Sequence, residues 1–260
     1  MGVLQAILLG ATQGVTEFLP VSSSGHLVLL QNIFGISEGT LLFDTMTHVG
    51  TLIAVFAVLW KDVWAILKKP FQLLTGFLII ATIPTVVGAL VFKDAIEKAF
   101  TSADFLGWAF LLTSLALVVS DLLANRSRTP IGQSRQMSVV DALVVGILQA
   151  VAIIPGVSRS GFTLSGALAR RLDKDFAARF SFLLSIPAIL GALVLQVKGL
   201  LGGTAVRVET APLIAGTFTA AVVGFFSVRL MLKLVKEHRL WGFAIYTGFL
   251  GIAVLIFGVL

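Results

Sequence analysis

The sequence predicts an all-α integral membrane protein with six transmembrane helices and two re-entrant helical hairpins, arranged as an inverted-topology repeat. Three observations predict it. Hydrophobic residues make up 57 % of the 260 residues and charged residues only 12 %, about half the charged share of a soluble domain. The apolar runs are continuous rather than alternating, which selects helices over a membrane barrel. Two of the runs break at turns rich in Pro, Ser and Gly, and these turns match one another in sequence. Twenty Phe against one Tyr and a mean hydropathy of +1.02 point the same way. The net charge of +6 is no nucleic-acid footprint, because the basic residues sit in short loops where they set topology. The absence of Cys excludes disulfides, thiol nucleophiles and thiolate metal sites. No cleavable signal is expected, since Met1–Leu9 carries no basic residue.

In chain order, Val3–Leu19 is apolar but stops at Pro20 and a serine run, then resumes as Gly25–Phe34. Leu41–Leu59 is a span interrupted only by Asp44 and His48. Phe71–Phe92 and Phe105–Ala124 are each long enough to cross about 30 Å of hydrocarbon. Val139–Ile154 stops at Pro155-Gly156 and resumes as Gly161–Leu172. Phe176–Val197, Pro212–Leu232 and Leu240–Leu260 complete the spans. Short apolar segments broken by Pro, Gly and Ser read as re-entrant hairpins, which membranes tolerate only where protein or a cavity surrounds them. Ile83-Pro84 and Ile186-Pro187, each followed by Gly-Ala-Leu-Val (Gly88–Val91 and Gly191–Val194), predict kinked, closely packed helices.

The basic residues orient these elements. Lys61, Lys68 and Lys69 share one loop. Arg126, Arg128 and Arg135 share a second, Arg170, Arg171 and Lys174 a third, and Lys233, Lys236 and Arg239 a fourth. Residues 33–40 carry none, and 93–104 and 198–210 carry few. The positive-inside rule makes the first four loops cytoplasmic. All six spans then alternate, provided each broken segment leaves on the side it entered. Arg179, just inside the boundary, is expected to snorkel.

The first hairpin then enters from outside and the second from the cytoplasm, and that inversion predicts a repeat. At an offset of 136, Gly10, Gln13, Val15, Val21, Ser22, Ser24 and Gly25 match Gly146, Gln149, Val151, Val157, Ser158, Ser160 and Gly161. Seven identities in sixteen positions, mostly Gly, Ser and Gln, are more than shared hydrophobicity explains. The chain reads as one membrane domain, 1–260, of two halves at about 1–124 and 139–260, joined by the polar linker Asn125–Ser138.

Each turn puts hydroxyls and the start of a helix at membrane depth, where unpaired N–H groups and the macrodipole attract anions. The repeat places Ser23 opposite Arg159 and Glu17 opposite Ile153. One half thus carries an acid, a hydroxyl and an imidazole (His26), and the other a guanidinium. An intramembrane Arg is a functional candidate by default. Arg159 matches phosphate oxygens, with Ser158, Ser160 and Thr163 as further donors. The alternative is a structural ion pair with Glu17 that ties the hairpins together. Glu17 can hold a divalent cation, orient His26, act as a base, or sit protonated against a hydroxyl. Gln13, one turn earlier, can donate to phosphate, offer a carbonyl oxygen to a metal, or pack helices. Ser23 and His26 share a helix face, a nucleophile–base spacing in principle. Ser22 or Ser24 is the expected N-cap. Asp44 and His48, at i and i+4, can form a second polar pair; these two, with Asp121 and Asp141, are weaker candidates, and an interhelical hydrogen bond is the leading account of each.

The stretches Glu17-Phe18-Leu19-Pro20-Val21-Ser22-Ser23-Ser24-Gly25-His26 and Pro155-Gly156-Val157-Ser158-Arg159-Ser160-Gly161-Phe162-Thr163 resemble the two signature motifs of the bacterial undecaprenyl-pyrophosphate phosphatase family, also called the bacitracin-resistance family. Length, motif spacing and span pattern agree over essentially the whole chain. The resemblance implies a multi-pass enzyme of the bacterial plasma (inner) membrane with a site open to the external face. It implies removal of the terminal phosphate of undecaprenyl pyrophosphate, which recycles the lipid carrier for peptidoglycan and other surface polymers. It also implies dependence on a divalent cation, Mg²⁺ or Ca²⁺. The family's acidic motif falls on Gln13 and Glu17, the expected metal-holding pair; members with two acids have a fuller cradle. Its serine, histidine and arginine positions fall on Ser23, His26 and Arg159. The mechanism so implied has Ser23 attack the terminal phosphorus helped by His26, with Arg159, Ser158, Ser160, Thr163 and Ser22 around the phosphates. The rivals are His26 as nucleophile and direct attack by water. Expected partners are the polyprenyl pyrophosphate lipid and membrane lipids, with no nucleic acid; a homodimer is left open. The alternative function is a polyprenyl-phosphate transporter, alone or beside hydrolysis, because inverted repeats with broken helices also build transporters.

Overall fold

A computed structural model describes residues 1–36, 39–92, 105–125, 136–201, 209–237 and 240–258. The external loop expected at 93–104, most of the linker and most of the loop at 198–210 lie outside the described residues. So do Arg126, Arg128, Arg135 and Arg239.

Every described element is helical. The first half contributes α1 (Val3–Thr16), α2 (Ser23–Ile33), α3 (Thr40–Val58), α4 (Trp60–Lys68), α5 (Leu73–Val91) and α6 (Leu106–Asn125). The second contributes α7 (Val139–Val151), α8 (Arg159–Ala169), α9 (Lys174–Leu201), α10 (Thr210–Glu237) and α11 (Trp241–Phe257). Five of them, α3, α5, α6, α9 and α10, are long and apolar enough to cross a bilayer. Their outward faces expose Ile, Leu, Val and Phe, and the chain is a multi-pass membrane protein. The last expected span forms α11, whose 17 residues extend about 25 Å, slightly less than the hydrocarbon core. At 14 and 13 residues, α1 and α7 reach only about 20 Å.

The helix ends follow from local sequence. The Ser138 hydroxyl accepts from the Asp141 N–H while the Asp141 carboxylate accepts from the Ser138 N–H, a reciprocal cap that starts α7. The Asp141 carboxylate also takes Arg170 at 2.7 Å, tying α7 to the end of α8. Gly156 lies at φ +83°, a left-handed turn that Gly adopts without a steric cost.

Two of the expectations are corrected here. Lys61 and Lys68 belong to α4 rather than to a loop. This helix buries no residue, and Trp60 and Trp64 lie exposed beneath Lys61 and Lys68. Arg179 does not snorkel free. It bonds Asp175 and Asp62, each at 2.9 Å, and Asp175 also takes Lys236 at 2.9 Å, because three helices bring opposite charges together at one end. Pro84 and Pro187 do sit inside α5 and α9. However, no described residue closes on Gly191, while Gly88 meets Ile153.

Helix packing places the two breaks at the centre. In the described structure α1 lies along α10, α10 along α3, α5 along α7, α6 along α8 and α11, and α9 against α3 and α8. The crossings are tight where glycine permits. A Cβ on Gly10 would stand 2.3 Å from the Gly216 carbonyl oxygen, and one on Gly146 would stand 2.4 Å from that of Ala81. The main apolar core joins Phe18 to side chains of α3, α6, α7, α8, α9 and α10. Phe18 packs edge-on against Phe182, with ring centroids 5.4 Å apart. That buried ring fixes the chain next to Glu17.

Candidate active site

Glu17 follows the last turn of α1, and its backbone N–H still donates to the Gln13 carbonyl. The side chain is buried, so each carboxylate oxygen needs partners. Oε1 takes the Arg159 guanidinium from the other half. Oε2 accepts from Gln13 Nε2 at 2.8 Å and from the Ser23 hydroxyl at 2.7 Å. His48 Nε2 lies 3.4 Å from the same oxygen. One carboxylate therefore gathers an amide, a hydroxyl, an imidazole and a guanidinium from α1, α2, α3 and α8.

The two turns are built alike. Ser22 caps α2 by accepting from the Gly25 N–H at 3.2 Å, and Ser158 caps α8 by accepting from Gly161 at 3.0 Å. Ser23 and Arg159 are then the first helical residues of their elements. The turns also hold one another. Gly156 N–H donates to the Ser24 hydroxyl at 3.1 Å, and the Ser160 hydroxyl donates to the Leu19 carbonyl at 3.1 Å. With the Glu17–Arg159 pair, three links cross between the halves. Ser22 holds φ +73°, a conformation that costs a non-glycine residue about 1–3 kcal/mol. Its carbonyl oxygen lies 2.7 Å from His26 Nδ1.

Ser23 and His26, whose spacing allowed a nucleophile–base pairing in principle, turn to different partners. The sharp turn brings Glu17 to Ser23, and both His26 nitrogens are engaged elsewhere. Nδ1 faces the Ser22 carbonyl, and Nε2 lies 2.8 Å from the Tyr246 hydroxyl of α11. The Tyr246 ring stacks on His26 at 5.7 Å, and Phe110 meets it edge-on at 5.5 Å.

Arg159 reaches Glu17 with one terminal nitrogen and the Ser185 carbonyl, at 3.4 Å, with the other. Ser158, Ser160 and Thr163 are buried beside it. Their hydroxyls already serve the protein: Ser158 as cap, Ser160 on Leu19, and Thr163 on the Arg159 carbonyl at 2.9 Å. Thr113 accepts from the Ser158 N–H at 3.1 Å. Asp44 takes Gln31 Nε2 at 2.7 Å, and Asp121 takes Trp241 Nε1 at 2.5 Å, interhelical bonds as expected.

His48, Tyr246, Thr113 and Ser185 complete this neighbourhood, and sequence reasoning did not place them in it. Tyr246 carried one signal, as the only Tyr in the chain. Among the described residues no three His, Cys, Asp or Glu side chains form a metal-holding group. The site does offer the Glu17 carboxylate and, beside it, the Gln13 carbonyl oxygen, which is buried with no partner.

The family described as "Bacitracin resistance protein BacA" matches residues 6–253. The protein named "Undecaprenyl-diphosphatase" of Carboxydothermus hydrogenoformans is 44 % identical over 258 residues, covering 98 % of this chain and 97 % of that one. "Undecaprenyl-diphosphatase 4" of Bacillus thuringiensis subsp. konkukian is 44 % identical over 255 residues, with the same coverage of each chain. "Undecaprenyl-diphosphatase" of Methanosphaera stadtmanae is 37 % identical over 281 residues, covering 100 % of this chain and 99 % of that one.

Proposed function

The chain belongs to the bacitracin-resistance protein BacA family, and from that premise we propose that it is a membrane phosphatase converting undecaprenyl pyrophosphate to undecaprenyl phosphate and inorganic phosphate. One observation carries the chemistry: the Ser23 hydroxyl donates to a buried carboxylate whose other oxygen holds Arg159. A nucleophile, a proton acceptor and a phosphate-binding cation therefore meet where two helix N-termini converge. The Ser23 Oγ–P bond forms as the bridging P–O bond breaks and undecaprenyl phosphate leaves. Glu17 takes the serine proton, and water then releases phosphate from the serine. Arg159 transfers its fork to the phosphate oxygens, and the α8 N-terminus adds its dipole. His26, held on both nitrogens, supports Ser23 as nucleophile over a phosphohistidine. Ser158, Ser160, Thr163 and Ser22 shape the phosphate pocket chiefly by fixing the turns.

A divalent cation, Mg²⁺ or Ca²⁺, would be held by the Glu17 carboxylate and the orphan Gln13 carbonyl; Mg²⁺ in particular takes one or two protein carboxylates when substrate phosphates supply further oxygens. When bound it neutralises charge on the phosphates. In this reading the enzyme lies in the bacterial plasma membrane, with six spans, two re-entrant hairpins and its site open to the external face. Two features support the inverted repeat within one domain. The repeat partners Gly10 and Gly146 make matching backbone approaches. The contact of α1 with α10 is mirrored by that of α7 with α5.

The test is phosphate release from undecaprenyl pyrophosphate by purified protein in detergent, with and without chelator. Release that chelator stops is expected. Lipid binding without release, in a medium that has no two sides, would move the reading to transport.

A further inference from the structure

We propose that α4 is a docking surface for anionic phospholipid, whose headgroups bind the edge of the helix that carries Lys61, Lys68 and Lys69. Helix α4 joins α3 to α5, both long and apolar enough to cross a bilayer, so it lies where the hydrocarbon ends. Leu59 closes α3 and caps α4, with no loop between them. At about 100° per residue, the sequence of α4 divides into three faces. Asp62, Val63 and Ile66 make the first. Val63 and Ile66 pack on the main apolar core, and the Asp62 carboxylate takes Arg179 at 2.9 Å. Leu67, Trp60 and Trp64 make the second, each more than half exposed. Lys68, Lys61 and Lys69 make the third, and all three are exposed.

Going round the helix from the protein, the faces run from aliphatic through indole to ammonium. That succession fits a lipid surface, where apolar side chains meet acyl chains, Trp sits at headgroup level and Lys reaches anionic headgroups. The indoles and ammonium groups are also held together. Lys61 Nζ lies 5.8 Å from the Trp60 ring centroid, and Lys68 Nζ lies 5.3 Å from that of Trp64. Among the described residues, the ion pairs at this end join Asp62 and Asp175 to Arg179 and Lys236, and none engages Lys61, Lys68 or Lys69. Three cations without a carboxylate, beside an apolar edge, complement a molecule with a negative head and an apolar tail. Free phosphate matches the cations but leaves Leu67 and the indoles uncovered. The surface is independent of the phosphatase chemistry and would stand without it.

The experiment uses full-length protein with Trp108→Phe and Trp241→Phe, which leaves Trp60 and Trp64 as the only indoles. The protein is reconstituted in phosphatidylcholine vesicles, and a minor share of the lipid is replaced by acyl-brominated phosphatidylglycerol or by acyl-brominated phosphatidylcholine. Both lipids should quench the fluorescence, the phosphatidylglycerol at a share at least about fivefold lower, the ratio that one Lys at a charged surface supplies. Lys61→Gln, Lys68→Gln and Lys69→Gln together should remove that difference and leave quenching by both lipids. Equal quenching before the Lys substitutions, or a difference that survives them, overturns the proposal. Quenching by neither lipid overturns it as well, because protein then covers the Trp face. Inorganic phosphate that erases the difference, where sodium chloride of equal ionic strength does not, assigns the cations to free phosphate and overturns the lipid.

Discussion

Ser23 and His26 lie three residues apart, yet their environments assign them different work. Ser23 donates to Glu17, whereas His26 is clamped between the Ser22 carbonyl and Tyr246. Ser23→Ala should therefore abolish turnover and any acid-stable phosphoenzyme. His26→Gln should slow turnover but leave the label on serine. Mass spectrometry of quenched enzyme checks this, and label on His26 would reverse the roles. Glu17→Gln keeps the shape and one acceptor but removes the charge that faces Arg159. Its expected cost is at least about a hundredfold in rate, measured as phosphate release at saturating lipid. The polar candidates Glu17, Ser23, His26 and Arg159 were legible because charged and hydroxyl groups at breaks in apolar runs are conspicuous. The Glu17–Arg159 pair was open as one reading of the sequence and is present, but the Ser23–Glu17 bond was not legible, since helical spacing pointed Ser23 at His26 and only the folded turn brings Glu17 round. Tyr246 was out of reach altogether, 220 residues from His26 in sequence.

At the scale of elements, the crossings of α1 with α10 and of α7 with α5 set the depth of the two turns. Gly146→Val places a branched side chain where even a Cβ would meet the Ala81 carbonyl oxygen. The helices must separate, at a cost of about 1–3 kcal/mol. The midpoint of thermal unfolding in detergent should fall, with loss of activity, while Gly191→Val, at an open position, should be close to neutral. A Gly146→Val protein as stable as the wild type would mean that this crossing does not hold the hairpin. Hydropathy and Pro–Gly breaks located these helices well. The two residue strings that end at Pro20 and Pro155 became the short α1 and α7. Helix α4 escaped detection because nine residues with an exposed Trp face and interleaved Lys read equally well as a basic loop.

For the whole molecule, the charge pattern and the broken repeat predicted one arrangement of loops about the bilayer. The chain has no Cys, so single cysteines report sidedness without background. A Cys at Lys68 should react only with reagent from the cytoplasmic side, and one at Gly39 only from outside. Equal labelling from one side at both positions would break the proposed topology. The convergence itself rests on the links between turns, from Gly156 to Ser24, Ser160 to Leu19 and Arg159 to Glu17. The decisive measurement is the rate of phosphate release from undecaprenyl pyrophosphate by the Arg159→Ala protein against the wild type, in one detergent, with helicity followed by circular dichroism. A fall of at least about a hundredfold with helicity retained is the predicted result. A folded Arg159→Ala protein that hydrolyses at close to the wild-type rate would contradict it.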